Sequence, residues 1–169
     1  MRQALRITAV FALIVTLAAA GVFAYGVKTM TPVVEQVCVT ATPAEQAQET
    51  FDMAMAQAAQ QTFTGRRYSE TEGLSAQDCT FLTYTVRLKN SGFFPAEWIA
   101  LTVRPREEYE AGRDVLALPD NGAYVLTAGC RGDLSATILT TGSAEDTQRM
   151  LEVSCYVFGR KVAFELGAQ

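Results

Sequence analysis

An uncharged apolar run near the N-terminus constrains this chain more than any other feature. Residues 7–27 contain no charged side chain, and they are bracketed by Arg2 and Arg6 on one side and by Lys28 on the other. A helix of about 20 apolar residues spans the roughly 30 Å hydrocarbon core of a bilayer. The run therefore predicts a membrane-spanning helix, with the rest of the chain forming one domain on one side of the membrane.

The arginines before the run predict its orientation, because positive charge tends to stay in the cytoplasm. We expect a single-pass signal anchor in the plasma membrane, with residues 1–30 as cytoplasmic stub and anchor and residues 31–169 as the extracytoplasmic domain. A cleavable signal peptide, and hence a secreted domain, is the alternative, because Ala18 and Ala20 fit a small-x-small cleavage site. The run continues through Tyr25, where a signal peptide would turn polar, and this favours the anchor.

Charge and composition argue against several classes of function. Residues 31–169 contain 11 basic and 18 acidic residues, which gives a net charge of −7. Such a surface repels phosphate backbones and anionic headgroups, so we expect neither nucleic-acid binding nor polybasic docking to lipid. The chain has no histidine, which removes the usual general base and the commonest zinc ligand. We therefore expect no enzyme activity, no cofactor and no metal site.

The four cysteines all follow the apolar run, and no two of them form a C-x-x-C pair: Cys38, Cys79, Cys130 and Cys155. An even number of widely spaced cysteines in an exported domain favours two disulfides over free thiols. Three connectivities are possible.

One helix interrupts a pattern that is otherwise typical of β-strands. Residues 32–42 are rich in valine and predict a first strand. Thr42 then fits an N-cap, and Glu45 fits the closing position of a capping box. The apolar residues that follow share one helical face: Ala44, Ala47, Phe51, Met55 and Ala58. We expect a helical insertion at about residues 43–64, packed on its own domain.

Period-two alternation dominates the rest of the chain. Two strands carry the clearest apolar positions, with Leu82, Tyr84, Val86 and Leu88 in the first and Ile99, Leu101 and Val103 in the second. Five shorter strands follow, separated by turn signals, at residues 115–118, 123–127, 134–140, 151–158 and 162–166. Strands of this number and spacing predict an antiparallel sandwich.

Three runs between residues 80 and 166 carry a resemblance: TYTVRLKNSGFFPAEWIALTV, LTAGCRGDLSATIL and LEVSCYVFGRKVAFEL. They resemble the immunoglobulin-like sandwiches of bacterial envelope proteins, the CARDB type in particular, in their Asn-x-Gly turn, Ser/Thr-rich strand and closing hairpin. The resemblance implies an all-β immunoglobulin-like sandwich with adhesion, scaffolding or accessory roles and no catalytic residues to carry over. The inserted helix departs from that pattern. An immunoglobulin-like order would pair Cys38 with Cys79 and Cys130 with Cys155.

Phe93, Phe94 and Trp98 form the aromatic cluster that the strand pattern does not send inward. If Ile99 faces the core, period two places Trp98 on the opposite face, beside a loop that carries both phenylalanines. Large aromatic side chains are favoured at interfaces, so we expect this cluster to dock a partner protein. The alternative is a tryptophan in the core, swung inward by a bulge after Pro95.

Two further motifs are weaker. The tripeptide Arg131-Gly132-Asp133 fits an adhesion motif, but turn chemistry before a strand is the favoured interpretation. The second motif is an acidic stretch of Glu107, Glu108, Glu110 and Asp114. These carboxylates could surround a hard cation or serve a hydrolase that uses carboxylates alone, but a solvated loop is the favoured interpretation.

We therefore expect a membrane-tethered extracytoplasmic binding or scaffold module, such as an accessory subunit of an envelope or transport assembly. Its expected partners are the membrane, through residues 7–27, and a protein. The hydrolase and the adhesin remain the alternatives.

Overall fold

The apolar run forms a single helix. In a computed structural model of the chain, helix α1 covers Arg2–Thr29. Its segment Ile7–Gly26 is long and apolar enough to cross a bilayer, and it is the one such helix in the part of the chain that the structure describes. A signal sequence would satisfy the same criterion. The described residues are 2–29, 32–60, 62–105, 113–119, 124–141, 149–157 and 159–167.

The described residues after α1 form nine strands and one further α-helix. The strands are β1 Val33–Pro43, β2 Arg66–Arg67, β3 Thr80–Lys89, β4 Ala96–Pro105, β5 Asp114–Ala117, β6 Tyr124–Leu126, β7 Arg131–Thr140, β8 Arg149–Val157 and β9 Arg160–Gly167. A 3₁₀ turn at Ala44–Ala47 leads into helix α2, Gln48–Ala59, and a second 3₁₀ turn at Ala76–Asp78 precedes β3.

The strands assemble into two antiparallel sheets, which confirms the predicted antiparallel β class. The first sheet has the order β1-β3-β7-β5-β2, and the second has the order β6-β4-β8-β9. Strand β3 lies inside the first sheet, because it pairs with β1 on one side and with β7 on the other.

Alternating side chains from both sheets fill the space between them. The predicted inward residues of β3 are fully buried, and those of β4 are at most 6 % exposed. They pack in one cluster with inward residues of β7 and β8, such as Ile138, Leu151 and Val153. Burying one such side chain contributes roughly 1.5–3 kcal/mol, so this cluster is the main source of the domain's stability.

A second apolar cluster lies on the outer face of the first sheet, where α2 covers it. Phe51, Ala54 and Ala58 of α2 pack with Phe81 and Leu139, which are partners across the β3–β7 ladder. These two strand residues alternate with the inward ones and so point away from the sandwich interior. Helix α2 is thus packed on its own domain, as predicted.

The start of α2 differs from the sequence prediction. Thr42 lies in β1, where it pairs with Phe81, and it does not cap a helix. The strand ladder holds the chain extended as far as Pro43, and a 3₁₀ turn follows before α2 begins at Gln48 without a side-chain cap. Pairing with β3 therefore outweighs the local capping signal.

The predicted disulfides are not formed: the structure describes all four cysteines, and each is free. Cys38 lies in β1, five positions before Pro43, whose partner is Thr80. Cys79 precedes Thr80, so at about 3.4 Å per residue the two cysteines are at least about 17 Å apart, well beyond the 7 Å limit for a bridge. The other expected pair joins a solvent-exposed turn residue, Cys130, to a core residue, Cys155.

Candidate functional site: an exposed aromatic surface

Trp98 occupies a strained position at a bulge in β4. Ala96 and Ile99 are both buried although they lie three residues apart, and both ladders of β4 shift register between them. Trp98 absorbs the extra residue with a φ of 52°, the one positive φ of a non-glycine residue in the described part of the chain. The left-handed conformation costs roughly 1–2 kcal/mol in a residue with a Cβ atom.

Burial of the Trp98 side chain does not offset this conformational free energy. The side chain is 64 % exposed, so the bulge directs the indole into solvent and not into the core. The alternative of a core tryptophan is therefore wrong for this structure. Because strained backbone at an exposed large side chain has no packing benefit, it points to a function for that side chain.

Four other exposed residues surround or adjoin Trp98. Phe93 is 77 % exposed and Phe94 is 39 % exposed, both in the loop that precedes β4. Tyr156 in β8 is the partner of Glu97 and points outward between the buried Cys155 and Val157. Val125 in β6 lies between Tyr124 and Leu126, which are the partners of Ile99 and Ala96 and point inward. Val125 therefore points outward, beside the bulge.

We call these residues the aromatic surface: Phe93, Phe94, Trp98, Val125 and Tyr156. A fully exposed aromatic side chain offers about 200 Å², so at their observed exposures the four rings present on the order of 400 Å². An apolar patch of that size is comparable to the largest patch on a typical monomeric protein, and such patches often mark binding sites.

A buried asparagine holds the loop that carries both phenylalanines. Asn90 is 0 % exposed, and its Nδ2 donates to the carbonyl oxygens of Phe94 at 2.8 Å and Leu126 at 2.9 Å. Its Oδ1 accepts from the N–H of Gly92 at 2.9 Å. Its own N–H donates to the carbonyl of Cys130, and its carbonyl accepts from the N–H of Gly129. The loop is thus fixed by five hydrogen bonds from one residue, and the rings that it carries are presented by a rigid support.

The adhesion tripeptide lies within β7 and not in a loop. Arg131 forms an ion pair with Glu35 at 2.7 Å, and Asp133 accepts two hydrogen bonds from Arg87 at 2.7 and 2.8 Å. These bonds hold the pKa of the Glu35 and Asp133 carboxyl groups below their usual range. Gly132 leaves room for the side chain of Tyr124, whose hydroxyl oxygen occupies the position that a Cβ atom would take. The three residues therefore serve the sheet.

The acidic stretch yields one residue with a defined role. Asp114 is fully buried and accepts a hydrogen bond from Nη2 of Arg149, itself buried, at 3.1 Å. Glu107, Glu108 and Glu110 lie outside the described residues. Within the described part of the chain, no three His, Cys, Asp or Glu side chains lie close enough to hold a metal ion.

A groove adjoins the edge of the sandwich on the side away from β1. It has a volume of about 730 Å³ and is lined by parts of β4, β5 and β7 together with Arg66 and Tyr68. Burial raises the pKa of the Tyr68 hydroxyl, although Arg66, whose guanidinium lies 5.2 Å from the ring centre, opposes this. Residues 106–112 and 120–123 lie outside the described residues.

The two exposed thiols lie on different elements of the domain. Cys38 lies on the outer face of the first sheet beside Thr85, and Cys130 lies in the turn before β7. Burial raises the pKa of the Cys79 and Cys155 thiols, so these two remain protonated near neutral pH.

Sequence reasoning found the three main members of the aromatic surface and missed its support. Tyr156 and Val125 could have been included, because each lies between inward residues of a predicted strand. The role of Asn90 could not, because its partners Leu126 and Cys130 are some 40 positions away and no local pattern marks them.

Comparison of the chain with protein-family models, with curated proteins and with solved structures finds no match.

Proposed function

We propose that this chain is a membrane-tethered extracytoplasmic binding or scaffold module, of the kind that serves as an accessory subunit of an envelope or transport assembly. Its binding surface is the aromatic surface. One observation carries the proposal: Trp98 combines a φ of 52° with 64 % exposure. Both properties cost stability in an isolated domain, and both are offset once the ring is covered by a ligand.

The strand order supports an immunoglobulin-like version of the sandwich. Immunoglobulin domains place strands A, B, E and D in one sheet and strands C, F and G in the other. Seven strands can be assigned the letters A to G in chain order: β1, β3, β4, β5, β7, β8 and β9. The order β1-β3-β7-β5 then corresponds to A-B-E-D, and the order β4-β8-β9 corresponds to C-F-G. Strands β2 and β6 then extend the free edges, and α2 is inserted between A and B.

The tether is supported by the properties of α1 and by its closeness to the domain. The segment Ile7–Gly26 is long and apolar enough to span a bilayer, and only residues 30–32 separate α1 from β1. Such a module holds its binding surface at a nearly fixed height beside the membrane. The expected protein partner and the bilayer itself are then the two candidate ligands of the aromatic surface.

The tether is tested by fractionating cells that make the full chain. We expect the chain to resist alkaline extraction from membranes, and added protease to digest the domain from the extracytoplasmic side while leaving an N-terminal fragment. Recovery of a soluble mature chain that begins near Gly21 would show that the run is a cleaved signal peptide.

The binding surface is tested by photo-cross-linking in native membranes. A photoreactive phenylalanine analogue at position 93 should form an adduct, whereas the same analogue at the position of Met53 should not. Met53 is a matched control because it is 61 % exposed on α2, remote from the bulge. Equal labelling from both positions, or none from position 93, would contradict a binding role for the aromatic surface.

A further inference from the structure

The connection between α1 and the domain keeps the start of β1 close to the bilayer. Helix α1 ends at Thr29 and β1 begins at Val33. At 3.3–3.6 Å per residue, the Cα atom of Val33 lies at most about 14 Å from that of Thr29. Thr29 itself is three helical residues beyond the apolar segment, a rise of about 5 Å. The first residue of β1 is therefore within about 20 Å of the hydrocarbon core.

Strand register places the aromatic surface at this same end of the domain. Val33 is the partner of Lys89, the last residue of β3, and Lys89 is in turn the partner of Arg131. The loop with Phe93 and Phe94 follows β3 directly and leads into the start of β4, where Glu97 is the partner of Tyr156. We call this end, where β1 and β4 begin and β3 and β8 finish, the anchor end.

The charge of the anchor end differs from that of the whole domain. Its described charged residues are four basic ones, Lys89, Arg131, Arg160 and Lys161, and two acidic ones, Glu35 and Glu97. Residues 31–169 carry −7 in total, so the acidic excess lies elsewhere in the domain. The sequence argument against lipid contact used the net charge of the whole domain. Because the anchor end has a different charge, that argument does not apply to it.

Exposed aromatic rings and basic side chains at the same end of a domain are a composition that proteins place at the membrane–water interface. Indole and phenol rings favour the headgroup layer, and long basic side chains reach anionic headgroups beside them. A ligand that α1 already holds within reach has a high effective concentration, whereas a separate partner must be recruited. Both considerations favour the bilayer over a protein as the occupant of the surface.

We infer that the aromatic surface inserts Phe93, Phe94 and Trp98 into the headgroup layer of the bilayer that α1 spans. This inference rests on the proposed tether and binding surface, and it names the ligand of that surface. The contact adds a second attachment to the single helix. It orients the domain so that α2, at the opposite end of the first sheet, faces away from the membrane.

Trp98 reports on this contact directly, because it is the sole tryptophan of the chain. The full chain is reconstituted in nanodiscs of phosphatidylcholine, with and without phosphatidylglycerol, in which some lipids carry a nitroxide on the headgroup. We expect strong quenching of Trp98 by the nitroxide lipid and protection from iodide in the aqueous phase. Phosphatidylglycerol should strengthen the nitroxide quenching, and added salt should reverse that gain.

The matched control moves the tryptophan to the far end of the domain. In the double variant Trp98→Phe, Met53→Trp, the new indole lies on exposed α2, so iodide should quench it several-fold more and nitroxide lipid several-fold less. A second variant, Phe93→Ser with Trp98 kept, should reduce nitroxide quenching of Trp98, with circular dichroism confirming an unchanged fold.

The inference is overturned if nitroxide lipid quenches Trp98 no more than it quenches the tryptophan at position 53. It is also overturned if Trp98 is unquenched in these nanodiscs while position 93 cross-links to a protein in native membranes. That second result would leave the proposed binding surface intact and assign it a protein ligand. Failure of the chain to remain in membranes would instead remove the tether itself.

Discussion

Replacing Asn90 by alanine tests whether the aromatic surface depends on its buried support. The substitution removes three side-chain hydrogen bonds and leaves two carbonyl oxygens and one N–H without that partner. A net contribution of roughly 1 kcal/mol per hydrogen bond, with a further penalty where the remaining group is buried, gives a loss of about 3–4 kcal/mol. A domain of this size has roughly 5–15 kcal/mol in total, so the loss is large.

Urea unfolding of the full chain in nanodiscs, followed by far-ultraviolet circular dichroism, measures this loss. With a urea dependence of about 2 kcal/mol per molar, the midpoint should fall by about 1.5–2 M. Ser91→Ala is the matched control, since Ser91 is an exposed neighbour in the same loop and should change stability by less than about 0.5 kcal/mol.

Asn90→Asp separates the two roles of the side chain. The carboxylate retains an acceptor for the N–H of Gly92 but places an oxygen against the carbonyl oxygens of Phe94 and Leu126. We expect it to be at least as destabilising as alanine. If the midpoints of both variants stayed close to that of the unchanged chain, the loop would not be held by Asn90.

Three further predictions follow from buried or paired groups. Replacing either Asp114 or Arg149 alone should lower the free energy of unfolding by about 3–5 kcal/mol in the same urea titration, whereas replacing both by apolar residues should lower it much less. Equal losses in the single and double variants would refute the buried pair. Iodoacetamide should modify the two exposed cysteines quickly and Cys79 and Cys155 slowly, because burial raises the pKa of the latter thiols; a non-reducing peptide map that joined any two would contradict the free thiols. A guanidinium lowers the pKa of Asp133 below the unfolded value of about 3.9, so its stabilisation is present above that pH and is lost as the pH falls below it. Acid titration of Asp133→Asn should accordingly show a smaller loss of stability below about pH 4 than the unchanged chain, and parallel curves would refute the assignment.

The local sequence pattern predicted the elements in which apolar residues alternate with polar ones, because that alternation reflects which side chains are buried. In β3, period two identified Leu82, Tyr84, Val86 and Leu88, because alternate residues face the interior of the sandwich. It did not predict the burial of Phe81 on the opposite face, which α2 covers. Strand β2 was missed because Arg66–Arg67 has no apolar alternation and is defined only by its pairing with β5. The helix start was misplaced for a similar reason, since the cap signal at Thr42 competes with a partner strand almost 40 residues away.

The site was predicted in part, and its context was not. Strand alternation relative to the inward Ile99 predicted that Trp98 points outward. In the structure, Trp98 points outward because of a bulge in the pairing of β4 and a positive φ. The position of the surface beside α1 depends on the pairing of Val33 with Lys89, which are 56 positions apart in the chain. No window of local sequence contains that information.

The contact between Gly132 and Tyr124 predicts how relatives of this chain must vary. The hydroxyl oxygen of Tyr124, from the second sheet, occupies the space where any larger residue at position 132 would place its first side-chain carbon. A larger residue at position 132 therefore requires the tyrosine to move or to be replaced, and the two columns of an alignment should co-vary. A relative with alanine or serine at position 132 should carry a small side chain at position 124, whatever becomes of the neighbouring arginine and aspartate. The adhesion-like tripeptide would then appear and disappear among relatives as a by-product of packing between the sheets.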